Sequence, residues 1–274
     1  MRMEWITSQG CRLRVLVSGA GPRRMVCWPG TGLPAEEFLS LLHALESDFA
    51  VVALDPPGHG ESEAWPGPWT WSHATQIIQD VMDHLHWKRP LLVGHSLGGT
   101  TLLMARPHIA SAGLVLIDGG LPMAEPYPDL DAAQASMDDW TGETQAQDWD
   151  TFLDAIKPAL HHWDADVESG VRAMMRETTE GLVPRLDART IAAMLWNLSQ
   201  FRLGDVEPTD NPTLLLYGRD SQPEAEHIHR LHSRLFTLRT AECPSGGHEL
   251  LWDAPAWIAE QVLSFADQAE WHAF

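Results

Sequence analysis

Leu91-Leu92-Val93-Gly94-His95-Ser96-Leu97-Gly98-Gly99 reads as a buried strand, a sharp turn and the start of a helix, and this stretch decides the fold. A serine at such a turn must accept strained dihedrals, and glycines on either side keep side chains from clashing behind it. The turn places the hydroxyl at a helix N-terminus, where developing negative charge is favoured. As a bare pattern, Gly-x-Ser-x-Gly arises by chance in a chain of this length about one time in ten. Its setting between an apolar run and the helix-forming residues 101–105 makes it more than a pattern.

Outward from this stretch the same alternation repeats. Short β-rich apolar runs at 13–17, 25–28, 50–54, 91–93, 114–117, 213–217 and 235–240 are separated by helical stretches at 35–46, 71–87 and 99–105, and an amphipathic helix over 255–269 closes the pattern. Nearly continuous hydrophobicity within the runs suits strands buried on both faces, so the expected class is α/β, a mostly parallel central sheet flanked by helices. Between about 121 and 210 strand-like runs disappear, and the segment becomes helical, acidic and rich in Trp and Met. The expected organisation is one core domain, residues 1–120 and 211–274, carrying a helical cap over 121–210. Trp140, Trp149, Trp163 and Trp196, with Met137, Met174, Met175 and Met194, either line an apolar pocket above the sheet edge or hold the cap's own helices together.

A formal net charge of -20 argues against nucleic acid or an anionic membrane as partner, because both repel an acidic surface. No apolar run approaches the roughly 18 residues of a membrane span. Glu4, Arg12 and Arg14 interrupt the apolar residues near the start, so no secretory leader is read there and the expected location is the cytoplasm. Cys11, Cys27 and Cys243 are odd in number and widely scattered, which suits reduced structural thiols rather than disulfides or a zinc site.

Four segments in order, each at the C-terminal end of an expected strand, resemble the α/β-hydrolase fold superfamily. They are Trp28-Pro29-Gly30-Thr31-Gly32, Asp55-Pro56-Pro57-Gly58-His59-Gly60-Glu61-Ser62, Gly94-His95-Ser96-Leu97-Gly98-Gly99 and Gly246-Gly247-His248-Glu249-Leu250. The resemblance implies Ser96 as nucleophile and His248 as its general base, in the triad order nucleophile, acid, histidine. It places the oxyanion donors at the backbone N–H groups of Thr31 and Leu97. Family members commonly carry His where this chain has Trp28, a change that leaves those backbone donors in place and alters the polarity of the pocket floor. For the acid it offers two positions, Asp220 after the run at 213–217 and Asp118 after the run at 114–117. Asp220 is favoured and Asp118 stays open, because Asp220 follows Gly218 by one residue fewer than the commoner pattern has. The resemblance assigns His59 and His95 to turn structure and to the variable position of the elbow, not to proton transfer.

A serine hydroxyl is too weakly acidic to attack an ester unaided, so it needs a base within hydrogen-bond reach and donors for the oxyanion. The expected activity is a serine hydrolase that cleaves a small-molecule carboxylic ester through an acyl-enzyme, a carboxylesterase for substrates with an apolar acyl or alkyl part. Thioester, lactone and carbon–carbon bond hydrolysis are alternatives on the same fold. Such a reaction implies no metal and no organic cofactor. His161 and His162 near Asp164 and Asp166, and His227, His229 and His232, form no recognised ligand spacing. Two rivals belong to other classes. In an NAD(P)-dependent oxidoreductase, Gly30-Thr31-Gly32 would cradle a dinucleotide and Asp55 would hold its ribose. A non-catalytic member of the fold would bind a ligand or partner without using Ser96 and His248.

Overall fold

The computed structural model describes residues 1–268. Ten strands form: β1 (Arg2–Ser8), β2 (Cys11–Ser18), β3 (Arg23–Trp28), β4 (Phe49–Leu54), β5 (Leu91–His95), β6 (Gly113–Ile117), β7 (Met175–Thr178), β8 (Gly181–Pro184), β9 (Thr213–Gly218) and β10 (Leu238–Cys243). Eight of them make one sheet in the order β1-β2-β4-β3-β5-β6-β9-β10. β2 pairs antiparallel with β1 and β4, and every other pairing is parallel, so the mostly parallel sheet expected from the apolar runs is present.

Period-two alternation explains why those runs are apolar throughout. On β3, Val26 and Trp28 enter the core on one face of the sheet, while Met25 and Cys27 enter the core on the other. On β6, Leu114 and Leu116 divide from Val115 and Ile117 in the same way. The helices are α1 (Leu39–Ala44), α2 (Trp71–His84), α3 (Leu97–Ala105), α4 (Leu130–Glu143), α5 (Trp149–Ile156), α6 (Ala165–Ala173), α7 (Ala188–Gln200), α8 (Ala225–His232), α9 (Leu250–Asp253) and α10 (Pro255–Gln268). α2 turns Ala74, Ile77, Ile78 and Val81 onto the first face, and α10 turns Ile258, Val262 and Phe265 onto the second. The expected end of that last helix at Ala269 lies outside the described residues.

Several elements differ from the sequence expectation. The helix expected over 35–46 is a single 3₁₀ turn, Ala35–Phe38, followed by the short α1. α2 stops at His84 rather than 87, because His86 turns into the left-handed region (φ 55°) and Trp87 N donates to Met82 O at 2.8 Å. β1 is an additional strand at the sheet edge, where Arg-Met-Glu-Trp-Ile-Thr-Ser alternates too weakly to mark it in the sequence. The last strand begins at Leu238, three residues later than expected, because Leu235 still belongs to the turn that closes α8.

The segment 121–210 was expected to be helical only, yet β7 and β8 form a hairpin within it, Met175 pairing with Pro184 and Thr178 with Gly181. Met-Arg-Glu-Thr has no apolar run, and the pairing depends on Gly181 at φ 128°. Four of the segment's acidic residues have a local role. α4, α5, α6 and α7 each begin at an aspartate, Asp129, Asp148, Asp164 and Asp187, whose carboxylate accepts backbone N–H bonds of the first turn. Each such cap is worth about 1 kcal/mol. The segment meets the turns at the sheet's C-terminal edge: Asp187 N donates to Gly58 O at 2.8 Å, and a Cβ on Gly32 would lie 3.5 Å from Trp140. No helix among the described residues is long and apolar enough to cross a membrane.

Candidate active site

Ser96 stands between β5 and α3 with φ 51° and ψ -119°, a conformation that L residues rarely adopt. Its neighbours show why the turn needs glycine. A Cβ on Gly94 would lie 2.6 Å from the backbone of Gly98, and one on Gly98 would lie 2.3 Å from the carbonyl oxygen of Trp28. The turn is held by Ser96 N donating to Ile117 O at 2.9 Å, so the end of β6 is fixed directly beside the serine.

His248 arrives from the turn after β10. Its Nδ1 lies 2.6 Å from Asp118 Oδ2, and its Nε2 lies 2.8 Å from Ser96 Oγ. An ionised carboxylate only accepts, so Nδ1 carries the imidazole proton and Nε2 is left free to accept from the serine hydroxyl. Asp118 is 5% exposed against 51% for the imidazole, which puts the carboxylate in the less solvated position that orients a base most firmly. Asp118 itself sits at φ 44°, with its N–H donating to Leu216 O at 2.7 Å.

The favoured acid, Asp220, does not join this relay. It follows β9 on a 3₁₀ turn, Arg219–Ser221, its N–H donates to Gly246 O at 3.3 Å, and its 60% exposed side chain faces His161 at 3.6 Å. The alternative, Asp118, is the carboxylate that the fold brings to His248. Local spacing misled because the turn after Gly218 aims residue 220 outward. A signal was present in Gly119, which follows Asp118 and packs so close that a Cβ would lie 2.5 Å from Ser96 O.

The loop carrying Thr31 lies beside the Ser96 turn because Trp28 pairs with Gly94. Its turn is closed by Leu33 N donating to Gly30 O at 3.2 Å, which leaves Thr31 N out of the turn bond. Leu97 is the first residue of α3, where N–H groups have no partner within the helix. Trp28 is 1% exposed and packs tilted on Trp69, ring centroids 6.4 Å apart, so it forms part of the core under this loop.

His59 and His162 take structural places. His59 is fully buried with Nδ1 3.0 Å from Pro57 O, and burial pushes its pKa down to about 4, so it serves the turn as a neutral ring. His162 pairs with Asp164 at 2.9 Å. Asp55 cannot reach a ribose: it is 0% exposed, and it accepts from Arg14 at 2.7 and 3.0 Å, from Ala35 N at 2.7 Å and from Glu61 N at 2.8 Å. Those bonds consume the carboxylate that the dinucleotide reading needs. Among the described residues, Glu37, His95 and Glu249 alone bring three metal-ligating atoms within 4.8 Å of one another. Glu37 and His95 already occupy each other there, and sequence reasoning gave neither a function.

The profile of the alpha/beta hydrolase family matches residues 25–261. The chain belongs to this family. The "Uncharacterized hydrolase YugF" of Bacillus subtilis is 23% identical over 255 residues, covering 89% of this chain and 90% of that protein. A 2-hydroxy-6-oxononadienedioate/2-hydroxy-6-oxononatrienedioate hydrolase of Paraburkholderia phymatum is 24% identical over 229 residues, 78% of this chain and 76% of that one. Among solved structures, a thioesterase domain from the curacin biosynthetic pathway superposes with a TM-score of 0.78 at 20% identity, covering 96% of this chain and 99% of the other, a likeness of fold.

Proposed function

We propose that this family member is a serine hydrolase that cleaves a carboxylic ester through an acyl-enzyme, a carboxylesterase for substrates with an apolar acyl or alkyl part. The observation that carries the reading is the continuous relay from Ser96 Oγ through His248 to Asp118, with contacts of 2.8 and 2.6 Å. Ser96 Oγ attacks the ester carbonyl while Nε2 of His248 takes its proton, and Asp118 stabilises the imidazolium. The carbonyl oxygen, now negative, accepts from the N–H groups of Thr31 and Leu97. Collapse expels the alkoxide, which leaves as the alcohol with the proton from Nε2. Water then attacks the acyl-enzyme, giving its proton to Nε2, and the acid departs as Ser96 regains its hydrogen.

Trp140 and Leu186 lie within 3.4 to 3.5 Å of the position a Cβ on Gly32 would take, beside Thr31, and they supply the apolar wall for an acyl or alkyl chain. Residues 121–210 thus act as the cap of the core domain. Three free, buried cysteines suit a reducing compartment, and the cytoplasm is the location we assign.

A series of p-nitrophenyl esters of increasing acyl length tests the reading. Turnover that rises with acyl length and disappears in Ser96→Ala supports it. Absence of turnover on every ester, with turnover on thioesters, lactones or a carbon–carbon substrate, would replace the carboxylesterase by one of those activities.

A further inference from the structure

Beneath the relay lies a second imidazole–carboxylate pair that the proposed reaction does not use. His95 and Glu37 are each 1% exposed. His95 Nε2 lies 2.8 Å from the carbonyl oxygen of His248, and a carbonyl only accepts, so Nε2 carries a proton. On the opposite side Nδ1 is in direct contact with Glu37 Oε1, an ion pair in which neither atom has another partner among the described residues. The second carboxylate oxygen of Glu37 accepts from Gly30 N at 2.9 Å. Gly30 approaches the ring so closely that a Cβ there would lie 2.8 Å from Nδ1. One buried pair therefore touches three stretches of chain: the loop after β3 that carries Thr31, the turn after β5 that carries Ser96, and the turn after β10 that carries His248.

We propose that Glu37 and His95 are positioning residues, a buried clamp that ties the Thr31 loop, the Ser96 turn and the backbone of His248 into one register. The proposal rests on the assignment of Ser96 and His248 made above. Stability alone gives the pair little reason to exist, since apolar residues of similar volume often match or exceed a buried ion pair. Apolar residues would, however, leave Gly30 N and His248 O buried without their partners, which costs the desolvation of each.

The charge on the clamp supports the same reading. Burial opposes protonation of His95, but the carboxylates of Glu37 and Glu249 and the carbonyl of His248 outweigh it and raise the imidazole to about 10. The titratable groups facing the cluster are Glu37 itself, Glu249 and His248 on the turn after β10, Asp253 on α9, and Cys27 on β3. Burial, Glu37 and Asp253 push Glu249 up while His95 and His248 pull it down, and burial and Glu37 push the Cys27 thiol up. With a folded value above the ordinary 6.5, His95 contributes stability that is complete below about 6.5 and lost as pH rises through about 10.

Two substitutions separate geometry from charge. In Glu37→Gln the amide oxygen can accept from Gly30 N and the amide nitrogen can donate to a neutral His95, which keeps its Nε2 bond to His248. Glu37→Leu removes both the acceptor for Gly30 N and the partner of His95 Nδ1. Expected for Glu37→Leu is a loss of about 10²-fold in kcat and in the rate at which a fluorophosphonate labels Ser96, with KM within about twofold. Glu37→Gln recovers to within about tenfold of wild type, and its melting temperature declines less steeply than wild type from about pH 7 to about pH 10. Labelling of Glu37→Leu at the wild-type rate, or a Gln variant no better than the Leu variant, overturns the clamp while leaving the serine assignment intact. A wild type that takes no label overturns that assignment and the clamp with it. If Glu37→Leu does not fold, ¹⁵N spectra of the wild type decide: both ring nitrogens of His95 protonated at about pH 8 support the clamp, and a neutral ring overturns it.

Discussion

The turns at the C-terminal edge of the sheet and the segment 121–210 above them are held in different ways. In the turns, backbone presses on backbone: Gly94, Gly98 and Gly119 leave no room for a Cβ, and Asp55 is fixed by Arg14 and two backbone N–H groups. The segment meets the site through larger side chains such as Trp140 and Leu186, and α4, α5 and α6 begin at exposed aspartate caps. In the turns a change of one atom displaces the chain, whereas in the segment a side chain can change and leave the backbone where it was. We therefore expect the chemistry to be intolerant of substitution and the choice of substrate to be adjustable.

The sharpest form of this contrast is Asp118→Asn. An amide can offer an N–H to Nδ1 of His248 and stabilise the wrong tautomer, so kcat is expected to fall about 10⁴-fold with the fold intact by circular dichroism. Arg14, 8% exposed, neutralises Asp55 at 2.7 Å and Glu36 through both terminal nitrogens. Arg14→Ala strands those carboxylates and is expected to lower stability in urea by about 3–5 kcal/mol. A loss under 1 kcal/mol would show the turns to be less tightly pinned than the contacts imply.

Trp140→Ala is expected to lower kcat/KM for long acyl esters about tenfold relative to short ones, with the short-ester rate nearly unchanged. An equal loss on both would move Trp140 from substrate selection to support of the Thr31 loop. Smallest of all is Asp220→Asn, which removes a 60% exposed carboxylate paired with His161 and is expected to leave kcat within about twofold. A drop comparable to that of Asp118→Asn would show that His248 changes partner during turnover.

The same contrast explains what could be read from sequence. Ser96 and His248 were legible because glycines that a turn demands flank the first and precede the second, and such demands are local. The sheet was legible because strands buried on both faces have no polar positions to spare. The choice between Asp118 and Asp220 was not legible, since the two differ in which way a turn aims the side chain across 130 residues of sequence separation from His248 in one case and far fewer in the other. Glu37 was missed because it lies in a stretch read as a regular helix, where an adjacent Glu36-Glu37 pair suggests solvent. The 3₁₀ turn instead sends Glu36 to Arg14 and Glu37 beneath the site. The hairpin at 175–184 was missed because its pairing rests on a glycine turn rather than on hydrophobicity.

Peptide mapping by mass spectrometry after reaction with a fluorophosphonate decides whether Ser96 is the nucleophile. A single adduct on Ser96 is expected, absent in Ser96→Ala and formed far more slowly in His248→Ala. An unmodified protein, or an adduct on any other residue, would contradict it.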